Sequence, residues 1–140
     1  MHFHEHATAL KADMARLQKE LIDKDISLQA LSGAILQIAK QGLSLVHGGL
    51  KGAPCVRTLA PSPLTLSAVV WEGRNQAMHY EAGDPHEPVK ECFHELHTHF
   101  GSRFDLAAHS NRSRARQVLE VLGWTDYLSY LKDMQALLTK

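Results

Sequence analysis

The chain has 140 residues and no formal net charge, because 15 lysines and arginines balance 15 aspartates and glutamates. A chain of this length can bury a core without disulfides or metals, and its neutrality excludes a global field that would attract nucleic acid. Ten histidines are the unusual feature, since mild acid would make the protein cationic. We therefore expect one domain, in which any contact with nucleic acid uses a local basic patch.

Cysteine usage and hydropathy indicate a cytoplasmic protein. Cys55 and Cys92 lie far apart and no CxxC motif is present, so neither a zinc site nor a disulfide framework is predicted. No run approaches the roughly 18 apolar residues of a membrane-spanning helix. The amino terminus also lacks the layout of a signal peptide. We expect no contact with a membrane.

The first 47 residues predict one long helix or two consecutive helices. Before residue 25, apolar residues are spaced alternately by four and three, which is typical of a narrow helical seam. These are Phe3, Ala7, Leu10, Met14, Leu17 and Leu21. The same spacing continues at Leu28, Leu31, Ile35, Ile38 and Leu45, with Lys24 and Gly42 as interruptions.

The apolar face widens after Ile26, where Leu36, Ala39, Leu43 and Val46 are added to the seam. A wider face is typical of a helix that is buried in a bundle. We therefore expect residues 1–24 to be a helical extension that forms a dimerisation seam. Residues 25–140 are expected to be the helical bundle itself.

Glycines and prolines mark the next boundary. Gly48, Gly49 and Gly52 should end the first helix, and residues 48–63 should form a loop. Ser62 or Thr65 can cap a second helix.

Three further helices follow. Apolar spacing predicts a third helix over about 87–104 and a fourth that stops at Gly123. Thr125 can cap a final helix. Its buried face would consist of Tyr127 or Leu128, Leu131, Met134 and Leu138. No segment alternates with period two, so the predicted fold is an all-α bundle of four or five helices with a long N-terminal helix.

The second predicted helix ends with an arginine, two amides and a histidine within six residues, Arg74-Asn75-Gln76-Ala77-Met78-His79. At about 100° per residue, Arg74 and His79 are separated by about 140° on a straight helix. The two side chains can belong to one site if the last turn of the helix unwinds. Alternatively, a second chain can supply half of the site.

This stretch resembles the HEPN superfamily, all-helical domains that are marked by an R-x4-6-H pattern with a polar residue usually directly after the arginine. Arg74, Asn75 and His79 match the pattern, and the resemblance covers roughly residues 25 to 138. Many HEPN domains are metal-independent endoribonucleases that act as dimers, while others bind nucleotides or serve as inert scaffolds. The resemblance implies an endoribonuclease without a cofactor, with a role as the toxin of a toxin-antitoxin pair or as a defence nuclease.

The implied partners are RNA, a second copy joined through the site-bearing helix and the N-terminal seam, and an antitoxin or nucleotidyltransferase. Under this hypothesis His79 exchanges protons with the ribose 2′-OH or the leaving 5′ oxygen, Arg74 clamps phosphate, and Asn75 aligns them. The alternative is a catalytically silent HEPN-like domain that dimerises or binds a nucleotide or protein. In that case Arg74 is a solvated charge and His79 closes helix-end carbonyls.

Other polar residues carry weaker signals. Arg112, Arg114 and Arg116 form the densest basic stretch, which could contact RNA phosphates or be a solvated helix end. His97 lies at core spacing and is expected to be a hydrogen-bonded core or site-lining residue, with Tyr80 also lining the site.

No metal site is predicted from the histidines. The sequence His94-Glu95-Leu96-His97 is one residue short of the HExxH motif that places two histidines on one helix face. A frayed terminal group of His2, His4 and His6 would bind metal only adventitiously.

Overall fold

The computed structural model describes residues 2–140, and within that range the fold is all-α. Five helices follow one another: α1 (His2–His47), α2 (Leu66–His79), α3 (Glu87–Phe100), α4 (Ala115–Leu122) and α5 (Tyr127–Leu137). Short 3-10 turns occur at Leu50–Gly52, Tyr80–Ala82 and Ser102–Phe104. The predicted all-α bundle with a long N-terminal helix is confirmed. None of the helices in residues 2–140 is long and apolar enough to cross a membrane.

Helix α2 is the centre of the bundle, because it packs against α1, α3 and α4. Thr65 caps its start, as one of the two predicted alternatives, by accepting a hydrogen bond from the Ala68 amide at 3.2 Å. Because α2 contacts three other helices, its buried face is broad and includes Val69, Val70 and Gly73. Little of α2 other than its last turn remains exposed.

Helix α1 is a single helix that ends at His47, where Gly48 adopts a left-handed φ of 79°. In its second half the predicted wider face is buried and includes Leu36, Ala39 and Leu43. The seam residues of that half are not part of this buried face, contrary to the prediction. Leu31 is 64% exposed and Leu45 is 83% exposed, because the bundle covers another side of the helix.

Two predicted boundaries shift for local reasons. Helix α3 ends at Phe100, and Gly101 (φ 103°) separates it from the turn that contains Phe104. Asp126, not Thr125, caps α5, since its side chain accepts a hydrogen bond from the Ser129 amide at 2.9 Å.

The buried face of α5 also differs from the prediction. Met134 is buried as expected, but Tyr127 and Leu128 are exposed, and Asp133 is buried. Asp133 faces inwards because its carboxylate accepts hydrogen bonds from the Trp124 indole at 2.8 Å and the Arg57 guanidinium at 2.7 Å.

Asp133 fixes the docking of α5 on the loop that precedes α2. Arg57 also donates to the Leu122 carbonyl at 2.7 Å, so this one guanidinium links the loop, α4 and α5. Burial alone would raise the pKa of Asp133, but the hydrogen bonds from Arg57 and Trp124 outweigh it and hold the pKa below its ordinary value.

We expect Asp133→Asn to lower the free energy of unfolding at pH 7 by about 1–3 kcal/mol, because Arg57 and Trp124 lose a charged acceptor. The folded-state pKa of Asp133 is depressed, so its stabilisation is present above the unfolded-state pKa and is lost as pH falls through the folded-state pKa. Urea unfolding at several pH values should show the difference from the parent shrinking in acid. Asp13→Asn, which removes only an exposed ion pair with Arg16, should change stability by less than about 0.5 kcal/mol. An acid-independent difference would contradict the assignment.

Two buried helical glycines should respond oppositely to alanine. A Cβ on Gly73 would lie 2.9 Å from one methyl of Val118 and 3.3 Å from the other, whereas a Cβ on Gly33 would lie 3.7 Å from the Ala77 Cβ. Gly73→Ala should destabilise by about 1–3 kcal/mol through overpacking against a stiff, fully buried side chain. Gly33→Ala should stabilise by up to about 1 kcal/mol through helix propensity. Urea unfolding that ranks Gly73→Ala as the more stable variant would contradict the close packing of α2 on α4.

Candidate functional site

A cleft of about 590 Å³ opens at the carboxyl end of α2. Its walls are the end of α2, the turn that enters α3 and the loop between α3 and α4. The polar lining consists of Asn75, Gln76, His79, Tyr80, Asp84, His86, Lys90, His109, Ser110 and Asn111. The apolar lining includes Pro85, Val89 and Leu106. The cleft therefore combines an apolar floor with several groups that can exchange protons or hydrogen bonds, as small-ligand sites commonly do.

Gln76 holds the loop wall of this cleft in place. Its buried amide donates to the Arg112 carbonyl at 2.8 Å and accepts from the Arg114 backbone N–H at 2.8 Å. Both ends of the amide are thus satisfied by one loop, which fixes that loop against α2. Asn111, one residue before this clamp, lines the cleft with a left-handed φ of 58°. Asparagine tolerates this conformation better than most residues.

Three histidines line the cleft from three different segments. His79 is the last residue of α2, His86 precedes α3, and His109 lies in the α3–α4 loop. Lys90 is the cation of the cleft, and its ammonium lies 2.8 Å from the Asp84 carboxylate. This ion pair raises the pKa of Lys90 through the hydrogen bond from its ammonium to Asp84.

Arg74 does not line the cleft, although it is only five residues before His79. Its Nε donates to the side-chain oxygen of Gln37 on α1, and its guanidinium also donates to Asn75 Oδ1 at 3.1 Å. Helix α2 ends at His79, where the backbone leaves helical geometry (φ −123°, ψ 11°), and Arg74 points towards Gln37 on α1. The two side chains are not brought together within this chain.

Asn75 stands between the two environments. It lines the cleft, but its Oδ1 accepts from Arg74 and from Lys40 at 2.9 Å, and its Nδ2 donates to Glu72 at 3.2 Å. The Oδ1 atom therefore accepts two hydrogen bonds and Nδ2 donates one, so only one N–H of this amide has no partner among these polar groups between α1 and α2. We call this set, Gln37, Lys40, Glu72, Arg74 and Asn75, the α1–α2 polar cluster.

The charges of the α1–α2 polar cluster perturb one another. Burial lowers the pKa of Lys40, and the nearby Arg74 charge lowers it further. The Lys40 ammonium lies 4.3 Å from the centre of the Trp71 ring, which stabilises its charge. Burial raises the pKa of Glu72, although Asn75 and Lys40 partly offset this effect. Glu72 Oε2 is the one buried side-chain polar atom in residues 2–140 without a hydrogen-bond partner.

The three arginines that sequence analysis proposed for RNA do not form one patch. Arg114 is 5% exposed, and burial lowers the pKa of its guanidinium. Arg116 is paired with Asp25 on α1 at 3.4 Å and with Glu120 at 3.3 Å. Of these three, Arg112 alone has an exposed side chain without an ion pair. The backbone groups of Arg112 and Arg114 bind Gln76.

Two proposed site-lining residues have different positions. Tyr80 lines the cleft. His97 is exposed rather than in the core, and it lies beside a separate hollow of about 180 Å³, with its Nδ1 3.3 Å from the Gly101 carbonyl. Its apolar neighbours in sequence, Phe93 and Phe100, occupy the buried side of α3 instead.

The remaining thiol and histidine groups are outside the cleft. Burial raises the pKa of Cys92 to about 12, so this thiol is a poor nucleophile. His2 and His6 lie on the exposed end of α1. Within residues 2–140, no three His, Cys, Asp or Glu side chains are arranged to hold a metal ion.

The cleft is also lined by His86, Lys90, His109 and Asn111, which the sequence does not single out. They are spread over three segments after α2, so no local spacing connects them with His79. The one hint in the sequence is Gly83-Asp84-Pro85, which predicts that the chain turns shortly after His79.

Stability measurements can test whether Arg74 has a structural role that His79 lacks. Arg74→Ala should lower the free energy of unfolding by about 1–2 kcal/mol, because the link to Gln37 and the packed side-chain stem are lost. His79→Ala should change it by less than about 0.5 kcal/mol, since His79 is exposed. Arg16→Ala, on the exposed part of α1, is the control for loss of an arginine. Equal effects of Arg74→Ala and Arg16→Ala in urea unfolding would contradict a structural role for Arg74.

No protein-family model, curated protein or solved structure matches this chain. The resemblance to the HEPN superfamily therefore stays a prediction that rests on Arg74, Asn75 and His79 and on the all-helical fold.

Proposed function

We propose that the protein is a metal-independent endoribonuclease of HEPN type whose reaction takes place in the cleft at the end of α2. The observation that carries this proposal is the presence of three histidines, His79, His86 and His109, in one cleft. RNA cleavage without a metal needs one group to accept a proton and another to donate one, and imidazole can do both near neutral pH. A toxin or defence role is part of the same proposal.

The proposed step begins when His79 takes the proton from a ribose 2′-OH. The 2′ oxygen then bonds to phosphorus, and the bond from phosphorus to the 5′ oxygen breaks. His86 or His109 donates a proton to that leaving oxygen. The products are a 2′,3′-cyclic phosphate and a free 5′-hydroxyl, so atoms and charges balance without a further reactant.

In this proposal Lys90 binds the phosphate and Arg74 positions Asn75, although the sequence predicted phosphate binding by Arg74. Lys90 lines the cleft and can contact a phosphate if it leaves Asp84. Arg74 holds Asn75, and Asn75 forms part of the cleft wall. In this proposal Arg74 is a positioning residue, while His79 is the catalytic residue.

The experiment is cleavage of RNA by purified protein in EDTA. Cleavage should persist without metal, the 5′ fragment should end in a 2′,3′-cyclic phosphate, and all-DNA substrates should be inert. His79→Ala should lower kcat/KM by about 10²-fold or more, because a positioned acid-base group is lost.

The matched control is His94→Ala, which removes an exposed α3 histidine outside the cleft. This variant should cleave RNA at the parent rate, and both variants should keep the helical circular dichroism of the parent. If the parent cuts no RNA, or if His79→Ala cuts as fast as the parent, the nuclease proposal fails.

A second candidate function is a catalytically silent domain that binds a nucleotide or protein. The observation in its favour is that Arg74 and Asn75 are already bonded within the α1–α2 polar cluster, so neither side chain is free to act on a substrate. Calorimetry with a nucleoside monophosphate separates the candidates. Binding that His79→Ala weakens, with no RNA cleavage, would favour the silent domain.

A further inference from the structure

The largest unexplained feature of the molecule is an apolar stripe along α1 that the bundle leaves uncovered. It consists of the seam residues Phe3, Leu10, Met14, Leu17, Leu21, Leu28, Leu31, Ile35, Ile38 and Leu45, all of which are exposed. From Phe3 to Leu45 the stripe is about 60 Å long, at 1.5 Å per residue. Exposed apolar surface of this extent marks an interaction site.

We propose that a second copy of this chain covers the stripe, with the two α1 helices antiparallel and centred between Ile22 and Asp23. In this register the seam before residue 22 on one copy pairs with the seam after residue 23 on the other. The narrow spacing of four and three is that of a helix which pairs with one other helix. The two-fold axis makes both halves of the interface identical.

The sizes of the seam residues support this orientation. The seam contains two small residues, Ala7 and Gly42, near its opposite ends. Gly42 is already packed against α5 of its own chain, since a Cβ there would lie 3.0 Å from Leu138 Cδ2. In the antiparallel register Ala7 lies opposite Ile38 of the partner subunit, so this small residue meets a large one. In a parallel, in-register pair Ala7 would face its own copy and leave a void, which interiors disfavour.

Charges support the same orientation. Lys24 is the one charged residue in the seam, and a parallel pair would place it directly against its own copy. A parallel pair would also bring Glu20 close to Asp25 of the partner subunit, because these positions flank the seam on facing sides. The antiparallel register puts Lys24 against Leu21 of the partner subunit, with the partner's Glu20 next to it. Like charges are therefore replaced by opposite ones.

The bundle surface next to the stripe fits a second helix. A hollow of about 410 Å³ lies between Ile35 of the stripe and Trp124, Tyr127 and Tyr130. Tyr127 and Leu128 of α5 are largely exposed beside it. A partner helix that lies along the stripe would border this hollow and cover part of these side chains.

This arrangement has a consequence for the cleft. The two bundles are attached to opposite ends of the paired helices, so α2 of one copy does not meet α2 of the other. The cleft is then complete within one chain, and the dimer is independent of the proposed nuclease activity.

Sedimentation should first give about twice the 15.6 kDa mass of one chain. Orientation is then tested by disulfide formation between Met14→Cys and Leu31→Cys chains, both with Cys55→Ser because Cys55 is exposed. After subunit exchange, the mixture should form a covalent dimer, while each variant alone should not. Covalent dimers from each variant alone would show a parallel pair and overturn the proposal, as would a monomeric parent.

Spin labels give a measurement that does not depend on disulfide chemistry. In the antiparallel register the two copies of residue 5 are offset by about 50 Å along the axis, and the two copies of residue 19 by about 10 Å. Labels at Glu5→Cys and Lys19→Cys should therefore report a long and a short distance, respectively. Equal short distances at both positions would overturn the antiparallel orientation.

Discussion

The cleft depends on the two hydrogen bonds through which Gln76 joins α2 to the start of α4. A helix start leaves backbone N–H groups without partners in the helix, and burying them unpaired is costly. Here side chains satisfy them in succession: Gln76 of α2 accepts from Arg114 N–H, Ser113 just before α4 accepts from Ala115 N–H, and Gln29 of α1 accepts from Arg116 N–H. The start of α4 can thus lie inside the bundle, and the loop that precedes it becomes a fixed cleft wall.

The positions of Arg74 and His79 on α2 explain why the two side chains lie in different environments. Helix α2 packs on α1, α3 and α4, and only its last residues, Met78 and His79, are exposed. Arg74 then faces α1 and joins the α1–α2 polar cluster, whereas His79 faces the cleft. Glu72 lies in the same cluster with an unpaired buried oxygen, an arrangement that lowers stability.

Local signals predicted most of the helix boundaries from sequence. Gly48 and Gly123 end helices because glycine adopts left-handed backbone conformations readily, and Thr65 caps α2 because its side chain satisfies a free amide. Asp126 took the cap position predicted for Thr125, since either side chain can accept from a helix-start amide. The buried Asp133 was not predictable, because its partners Arg57 and Trp124 come from outside α5.

The site was less predictable than the fold. His79 was found because a short pattern marks it, but His86 and His109 become its neighbours only through the turn after α2 and the Gln76 clamp. Arg112, Arg114 and Arg116 looked like a basic patch because sequence spacing does not reveal which side chains are buried or paired where the loop enters α4. Arg114 is buried because its backbone N–H is held against Gln76.

Helix α1 shows why periodicity alone does not identify the core. It has two apolar faces, and the bundle closes on the one that contains Leu36 and Leu43 without using the seam. Helices in proteins take most of their stability from tertiary packing, yet no residue of α1 before Gln29 is buried. The proposed helix partner on the seam would supply such packing to the extension, whereas the bundle has a buried core of its own.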